Sequence, residues 1–338
     1  MLIKKKYTHT EPFVFEAGGQ LDQMDLVYFC SDREYSKGEK VVWICHALTG
    51  NANPEEWWAQ MVGEGKPIDP EKVFVVCVSM LCSSYGECGP ATINPASGRP
   101  YLLDFPKTTV RDMARANDLV RQALGIECID LLIGPSIGGF VAYEWLVLQP
   151  EIFKEADLVA TTFRTPPYMT AFNESQRMAL KLDPSFLAAE SIQGGAKGLK
   201  CARAQALISY RTPQGYNLTQ AESDEDCLFA DRAASYQRYQ GEKLVRREFD
   251  AYSYWYLSYA LDSMNIGRGR GGVEKALASI KAKCRLISIS TDQLFPPCLG
   301  EYAASVIADA CHYEISSEFG HDGFLIENDC LIEALGLK

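Results

Sequence analysis

Short apolar runs, separated by amphipathic segments, dominate the sequence outside its middle third. Runs that are apolar throughout predict strands buried on both faces of a parallel sheet. Four such runs and two shorter segments predict six strands, at residues 41–47, 73–80, 129–136, 156–162, 284–291 and 312–316. The first 35 residues instead alternate between apolar and polar side chains, which predicts an opening antiparallel hairpin.

Helical periodicity appears between and after the predicted strands. Residues 109–124 place their apolar side chains on one face, and Thr109 and Asp112 have the spacing of a capping box. Further helices are predicted at 138–148, directly after the third strand, and at 324–336, near the end of the chain. Strands that alternate with helices of this length predict a mostly parallel, doubly wound α/β sheet.

Residues 163–275 interrupt this alternation. They are rich in helix-forming and aromatic residues, show no strand pattern, and are too long for a simple connection. We therefore predict a helical cap inserted into a core formed by residues 1–162 and 276–338. The glycine-rich stretch at 267–272 follows no predicted strand and does not match a phosphate-binding glycine loop. We expect it to be a mobile joint that leads back to the core.

The composition allows a large core and excludes some classes of partner. Of the 338 residues, 47% are apolar, so wholesale disorder is excluded. The chain has 44 acidic and 33 basic residues, for a net charge of −11. It therefore lacks the broad positive field that drives nucleic-acid binding. An anionic ligand would need a local basic pocket, because the field of the whole molecule opposes it.

The sequence also carries no signal for a membrane or for metal binding. No apolar run reaches the ~20 residues of a bilayer span, and the N-terminus lacks the apolar stretch of a signal peptide. We therefore expect a cytoplasmic protein. The twelve cysteines are scattered, and no His or Cys follows them at zinc-ligand spacing. We expect buried free thiols and no metal site.

A serine at a strand-to-helix turn is the first candidate for chemistry. Residues 134–138 read Gly-Pro-Ser-Ile-Gly, between a predicted strand and a predicted helix. At such a turn the Ser136 hydroxyl is held above the sheet, and the flanking glycines permit a tight backbone. The helix N-terminus behind it favours negative charge. Ser136 is therefore the candidate nucleophile, with an ordinary turn as the alternative.

A serine hydroxyl becomes a good nucleophile only when a base removes its proton, so a histidine is required. The chain has four. His9 lies in the first hairpin, and His312 lies in the last predicted strand, where a structural role is expected. His46 ends a strand, whereas His321 lies in a loop after the last strand, at the sheet edge where the serine turn opens. We therefore prefer His321 over His46 as the general base.

A carboxylate should orient the histidine and stabilise its protonated form. Asp292 ends the predicted strand at 284–291, although an aspartate at such a place is also common in turns. The chain order Ser136, Asp292, His321 is that of α/β-hydrolases. The sequence therefore predicts a Ser-His-Asp triad on an α/β-hydrolase fold with an inserted helical cap.

An acyl-transfer intermediate carries an oxyanion, which needs two N–H donors. One is expected from the backbone of Ile137, directly after the nucleophile. The other is expected from the loop after the strand at 41–47, where we assign the N–H of Leu48, with Ala47 as the alternative. His46 would then shape that loop.

Several segments together resemble the homoserine O-acetyltransferases of the α/β-hydrolase superfamily. They follow the order of that family over almost the whole chain, and HALTG and INP-x-x-G-x-PY are more specific than the serine pentapeptide. The segments are CHALTGNA (45–52), GPATINPASGRPY (89–101), DFP (104–106), GPSIGGFVAYEW (134–145), FDAYSYWYLSYALD (249–262), DQLFPP (292–297) and GHDGFLIE (320–327).

The resemblance implies that Ser136 takes an acyl group from acyl-CoA, with acetyl-CoA as the expected co-substrate. The hydroxyl of homoserine, or of a similar small amino alcohol, then accepts it, as in methionine biosynthesis. The resemblance also implies that Arg203, paired with Tyr210, holds the acceptor's carboxylate and that Asp322 holds its amine. These two charges suit a zwitterion. A homodimer built through the cap is implied as well, and no permanently bound cofactor is expected.

Two other functions would use the same machinery. In a serine esterase of this fold, water attacks the acyl-serine, and a related acyltransferase would use another acceptor. Segment 79–90 differs from the family pattern near the acyl pocket, which leaves acyl length and acceptor open. A transferase must exclude water and position its acceptor, so Arg203 and Asp322 favour transfer. A catalytically silent fold is a third alternative, which the presence of serine, acid and base disfavours.

Overall fold

An eight-stranded sheet forms the centre of the structure, a computed structural model that describes residues 1–337. Its strands are β1 (Leu2–His9), β2 (Met24–Ser31), β3 (Val41–Ile44), β4 (Phe74–Val78), β5 (Ile129–Pro135), β6 (Phe153–Val159), β7 (Lys283–Ile289) and β8 (Ala310–Ile315). They lie in the order β1-β2-β4-β3-β5-β6-β7-β8. Only β2 runs against the others, because it is antiparallel to both of its neighbours.

This sheet confirms the predicted fold class. Each of the six predicted parallel strands is present, with its ends shifted by at most three residues. The opening hairpin is also present, since β1 pairs with β2 from Leu2–Ser31 to His9–Met24. Every residue of β3 and β4 is buried, as expected for strands that are covered on both faces.

The helices lie between the strands in the chain, and the last two follow the final strand. They are α1 (Pro54–Trp57), α2 (Val110–Ala123), α3 (Ile137–Leu148), α4 (Pro167–Lys181), α5 (Pro184–Ala188), α6 (Ala196–Tyr210), α7 (Pro213–Gln220), α8 (Arg232–Arg246), α9 (Ala251–Asp262), α10 (Val273–Ala278), α11 (Pro297–Val306), α12 (Gly323–Ile326) and α13 (Asn328–Ala334). Neighbouring residues of β3 enter different apolar clusters, because successive side chains of a strand point to opposite faces. Trp43 packs against Trp145 of α3, at 5.2 Å between ring centroids.

Two of the three predicted helices are present as expected. Helix α2 starts with the predicted capping box, in which Thr109 and Asp112 each bind the backbone N–H of the other. The prediction of one helix over 324–336 is wrong, because α12 and α13 are separated at Glu327. The ψ angle of Glu327 is 53°, which is not helical, and its carboxylate accepts a hydrogen bond from a serine. Helix α11 is an addition to the predicted set.

Residues 163–275 contain helices α4 to α9 and the start of α10, and no strand lies within this described range. The helical content agrees with the predicted cap, whose limits stay a prediction. Helices α4 and α9 are joined through a buried cation. Arg177 pairs with Asp262 at 2.8 Å and also binds Ser258.

The glycine-rich segment at 267–272 is anchored, contrary to the expectation of a mobile joint. Arg270 pairs with Glu144 of α3 at 2.7 Å, and Arg268 pairs with Glu16 at 2.6 Å. The arginines between the glycines therefore fasten this segment to the core.

The cysteines are less uniformly buried than predicted. Cys45 and Cys77 lie in the core, as their apolar surroundings indicated. Three others are exposed because they lie on the outer faces of α6, α11 and α13: Cys201, Cys298 and Cys330.

Replacing Thr109 with alanine should lower the free energy of unfolding by about 1 kcal/mol, because the first turn of α2 loses its N-cap acceptor. Urea denaturation followed by circular dichroism measures this change. Thr109→Ser is the matched control, since it keeps the hydroxyl. A serine variant as unstable as the alanine variant would place the effect in the lost methyl group and contradict the prediction.

Candidate active site

Ser136 occupies a strained turn between β5 and α3. Its φ of 56° and ψ of −124° lie in a region that residues with a side chain rarely adopt. Gly138 permits this turn, because a Cβ at that position would overlap the carbonyl group of Cys45. Thr161 donates a hydrogen bond to the Ser136 carbonyl at 2.7 Å. The serine hydroxyl is therefore held at the carboxyl end of β5.

Three hydrogen-bonded side chains meet at this turn. Oγ of Ser136 lies 2.8 Å from Nε2 of His321, and Nδ1 of His321 lies 2.7 Å from Oδ2 of Asp292. Oδ1 of Asp292 accepts the N–H groups of Leu294 and Phe295, at 2.8 and 3.0 Å. The structure thus brings together the three residues that the sequence analysis singled out.

The surroundings of His321 favour its protonated form. Burial lowers the pKa of His321, but the charge and hydrogen bond of Asp292 outweigh this effect, with a further contribution from the charge of Asp322. The net result is a pKa above the usual value. The imidazole is almost completely buried, with the rings of Phe295 and Phe324 at 5.2 and 5.3 Å between centroids. A base in this position can accept a proton from the serine and hold it.

His46 has the structural position expected of it. Its Nε2 accepts the backbone N–H of Met80 at 3.0 Å, and its Nδ1 lies 2.9 Å from the carbonyl oxygen of Ala47. Burial lowers the pKa of His46 to about 4, so the ring is neutral at pH 7. His312 is bonded to Ser288, in β7. Both histidines therefore have structural partners away from the serine hydroxyl.

The residues proposed for an oxyanion hole lie around Ser136. Ile137 is the first residue of α3, so its N–H has no acceptor within the helix. Leu48 and Ala47, the two alternatives for the second donor, both line the pocket that contains Ser136. The N-terminal end of α3 adds a favourable field for a developing negative charge.

The same pocket contains the three residues predicted to bind an acceptor. Arg203 and Tyr210, both on α6, line it together with Asp322. The guanidinium carbon of Arg203 lies 5.5 Å from the centroid of the Tyr210 ring, within the range of a cation–π contact. The Tyr210 ring lies 5.8 Å from that of His321. A cation and a carboxylate thus border the space above the serine.

Arg211 is a site residue that the sequence analysis missed. Its Nε donates to Oδ2 of Asp322 at 2.8 Å. Each of the two side chains exposes less than one-fifth of its surface to solvent. Arg211 directly follows Tyr210 in the sequence. A second cation next to the predicted Arg203–Tyr210 pair was the signal that could have identified it. The ion pair fixes the Asp322 carboxylate and joins the end of α6 to the loop that carries His321.

Among residues 1–337, no group of His, Cys, Asp and Glu side chains has the arrangement of a metal site. Within the same residues, no helix combines the length and apolar character needed to cross a bilayer.

The Asp322→Asn variant should lower the pKa of His321, because it removes a negative charge that favours the imidazolium. A titration of the imidazole protons by NMR measures this pKa directly. Glu318→Gln removes an exposed carboxylate from the same loop and is the control. An unchanged or raised pKa in the Asp322 variant would contradict the electrostatic assignment.

The sequence of the chain is similar to those of several known proteins. A model of the α/β-hydrolase fold matches residues 40–327. The homoserine O-acetyltransferase of Cyclobacterium marinum is 42% identical over 321 residues, which cover 95% of this chain and 91% of that protein. The homoserine O-acetyltransferase of Chlorobaculum parvum is 38% identical, over 94% of this chain and 90% of its own length.

Solved structures extend the comparison to the fold. The homoserine O-acetyltransferase from Bacillus anthracis aligns with a TM-score of 0.90 at 24% identity, covering 100% of this chain and 96% of that one. Esterase E22 aligns with a TM-score of 0.89 at 24% identity, and the alignment covers 100% of this chain and 99% of the esterase chain. At this identity the likeness shows the fold alone, which transferases and esterases share. The close relatives, together with the matched fold model, show that the chain belongs to the homoserine O-acetyltransferase family of the α/β-hydrolase superfamily.

Proposed function

We propose that this chain transfers an acetyl group from acetyl-CoA to the hydroxyl of homoserine, through an acyl-serine intermediate. The observation that carries the proposal is the bonded chain Ser136–His321–Asp292 facing a pocket that also holds Arg203 and Asp322. The names of the relatives support it, since both are homoserine O-acetyltransferases. The reaction would serve methionine biosynthesis.

In the first half-reaction, Ser136 attacks the thioester carbonyl while His321 removes its hydroxyl proton. The N–H groups of Ile137 and Leu48 stabilise the oxyanion of the tetrahedral intermediate. Its collapse breaks the carbon–sulfur bond, and His321 returns the proton to the departing thiolate. Asp292 holds the imidazole in the required tautomer and stabilises the imidazolium.

In the second half-reaction, the acceptor hydroxyl takes the place of the thiol. His321 removes the proton of that hydroxyl, whose oxygen attacks the acyl-serine carbonyl. The second tetrahedral intermediate collapses to the product ester, and His321 returns the proton to the serine oxygen. The two substrates therefore react in turn, in a ping-pong sequence.

The acceptor site is formed by the charged residues of the pocket. Arg203 binds the carboxylate of homoserine through its guanidinium group, with the Tyr210 ring beside it. Asp322, which Arg211 holds in place, binds the ammonium group through its other oxygen. An esterase that uses water would need neither charge, so this pair of charges favours transfer over hydrolysis.

Water is the competitor that the site must exclude. It outnumbers a millimolar acceptor by about four to five orders of magnitude, which corresponds to roughly 6 kcal/mol of discrimination. The proposed cap of residues 163–275 contributes Met169, Arg203, Tyr210 and Leu261 to the pocket wall. These side chains limit the access of water to the acyl-serine and leave the acceptor positioned for attack.

The cap also offers apolar surface for the proposed homodimer. Leu182 of the cap is 83% exposed, and Met178 and Leu187 are each 58% exposed. Exposed apolar side chains grouped in one region are typical of protein–protein contacts.

Thiol release from acetyl-CoA should depend on homoserine. We expect rapid release when both substrates are present and slow release without the acceptor, because the acyl-serine accumulates after one turnover. A chromogenic thiol assay measures both rates, and Ser136→Ala, which should be ~10³-fold slower or worse, is the control. A rate of thiol release that does not depend on homoserine would favour a hydrolase or a transferase that uses another acceptor.

The Arg203→Ala variant should raise the KM for homoserine by about tenfold or more, since it removes a charge-assisted hydrogen bond to the carboxylate. The KM for acetyl-CoA should change little. Steady-state kinetics with each substrate varied in turn separates the two effects. An equal rise in both KM values would show that Arg203 does not bind the acceptor.

A further inference from the structure

Two arginines beside the Ser136 pocket have no carboxylate partner within residues 1–337. This is unusual in a chain with a net charge of −11, in which most arginines form ion pairs. Arg203 lines the pocket and is assigned to the acceptor above. Arg247 lies at the rim of the pocket and has no role in the proposed reaction.

The position of Arg247 ties it to the pocket wall. It directly follows α8, and its Nη2 donates to the carbonyl oxygen of Thr49 at 3.4 Å. Thr49 lines the pocket together with Ser136. The Arg247 side chain is otherwise exposed, so most of its N–H donors face solvent.

Tyr85 lies beside Arg247 and has a buried hydroxyl group that is unpartnered within residues 1–337. The guanidinium carbon of Arg247 lies 5.8 Å from the centroid of the Tyr85 ring, and the buried hydroxyl of Tyr85 has no hydrogen-bond partner in the described chain. Burial raises the pKa of Tyr85, and the charges of Arg247 and Arg203 oppose the rise. The hydroxyl is therefore within the field of both arginines.

The charges around Arg247 leave it free to bind an anion. Lys243 and Arg246, in the last turn of α8, also have no ion-pair partner within residues 1–337. Two carboxylates are close enough to affect Tyr85, those of Glu248 and Glu56. Glu56 is hydrogen-bonded to two asparagine side chains, and Glu248 is exposed to solvent. The end of α8 is thus a local cationic surface on an acidic protein.

We propose that Arg247, with Lys243 near it, binds the phosphate groups of acyl-CoA at the rim of the pocket. This inference rests on the proposed use of an acyl-CoA donor. With the thioester at Ser136, the phosphates lie outside the pocket, where Arg247 is held against Thr49 of the pocket wall. A guanidinium group suits phosphate oxygens, because its N–H groups form paired hydrogen bonds with them. A local cation is needed there, since the net charge of the molecule repels the donor.

The test compares CoA with pantetheine, which has the same thiol arm and lacks the phosphates. Isothermal titration calorimetry on the whole chain should show tighter binding of CoA. Arg247→Gln should weaken CoA binding about tenfold and leave pantetheine binding within about twofold. Arg247→Lys should weaken CoA binding less than Arg247→Gln does, because lysine keeps the positive charge and lacks only the paired N–H groups of the guanidinium. Added salt should reduce the advantage of CoA in the wild-type protein.

Arg246→Gln is the matched control at the same helix end. Its guanidinium carbon lies 5.4 Å from the Tyr239 ring, and we expect less than about a twofold effect on CoA binding. The inference is overturned if the wild type does not distinguish CoA from pantetheine, if Arg247→Gln weakens both ligands alike, or if Arg246→Gln has the same effect. CoA binding that depends on Arg247, without transfer to homoserine, would support this site and contradict the proposed acceptor.

Discussion

The hydrogen-bonded chain from Asp292 through His321 to Ser136 is the constraint on which the rest of the site depends. A carboxylate and an imidazole can be buried only when their polar atoms have partners. Both oxygens of Asp292 are bound, one by the imidazole and the other by two backbone N–H groups. Parallel strands make this meeting possible, because their carboxyl ends lie at one edge of the sheet. The strained backbone of Ser136 is held by its surroundings, which include the hydrogen bond from Thr161 and the close approach of Cys45 to Gly138.

Arginines in different parts of the structure differ in whether they have carboxylate partners. Arg270 and Arg177 are paired with carboxylates and hold elements together, one between the glycine-rich segment and α3 and the other between two helices of the proposed cap. Arg203 and Arg247 are close to the pocket and lack such partners in the described chain. Because acidic residues are in excess, an arginine that lacks a partner and also lies beside the pocket is a stronger indication of an anionic ligand here than it would be in a basic protein.

Much of the fold could be predicted because its signals are local and continuous. The strands are uninterrupted apolar runs, and α2 has both members of its capping box in the sequence. Ser136 and His321 could be identified because each follows a predicted strand. The loops that follow parallel strands lie at the same edge of the sheet, so residues in these loops can meet there. The Arg211–Asp322 ion pair could not be identified in this way, because it joins a helix end to a loop 111 positions away. The break at Glu327 escaped prediction for a similar reason, as its carboxylate binds a serine outside the helix.

The contact between Arg211 and Asp322 joins the proposed cap to the loop that carries His321. Arg211 lies within the proposed cap of residues 163–275, whereas Asp322 directly follows His321. A chain without the proposed cap would therefore lose more than part of its pocket wall. The carboxylate next to the imidazole would be left uncompensated, and the shortened chain would need a more alkaline medium to keep its base unprotonated. On this account the proposed cap would help to set the pH range in which His321 can act as a base, in addition to forming part of the pocket wall.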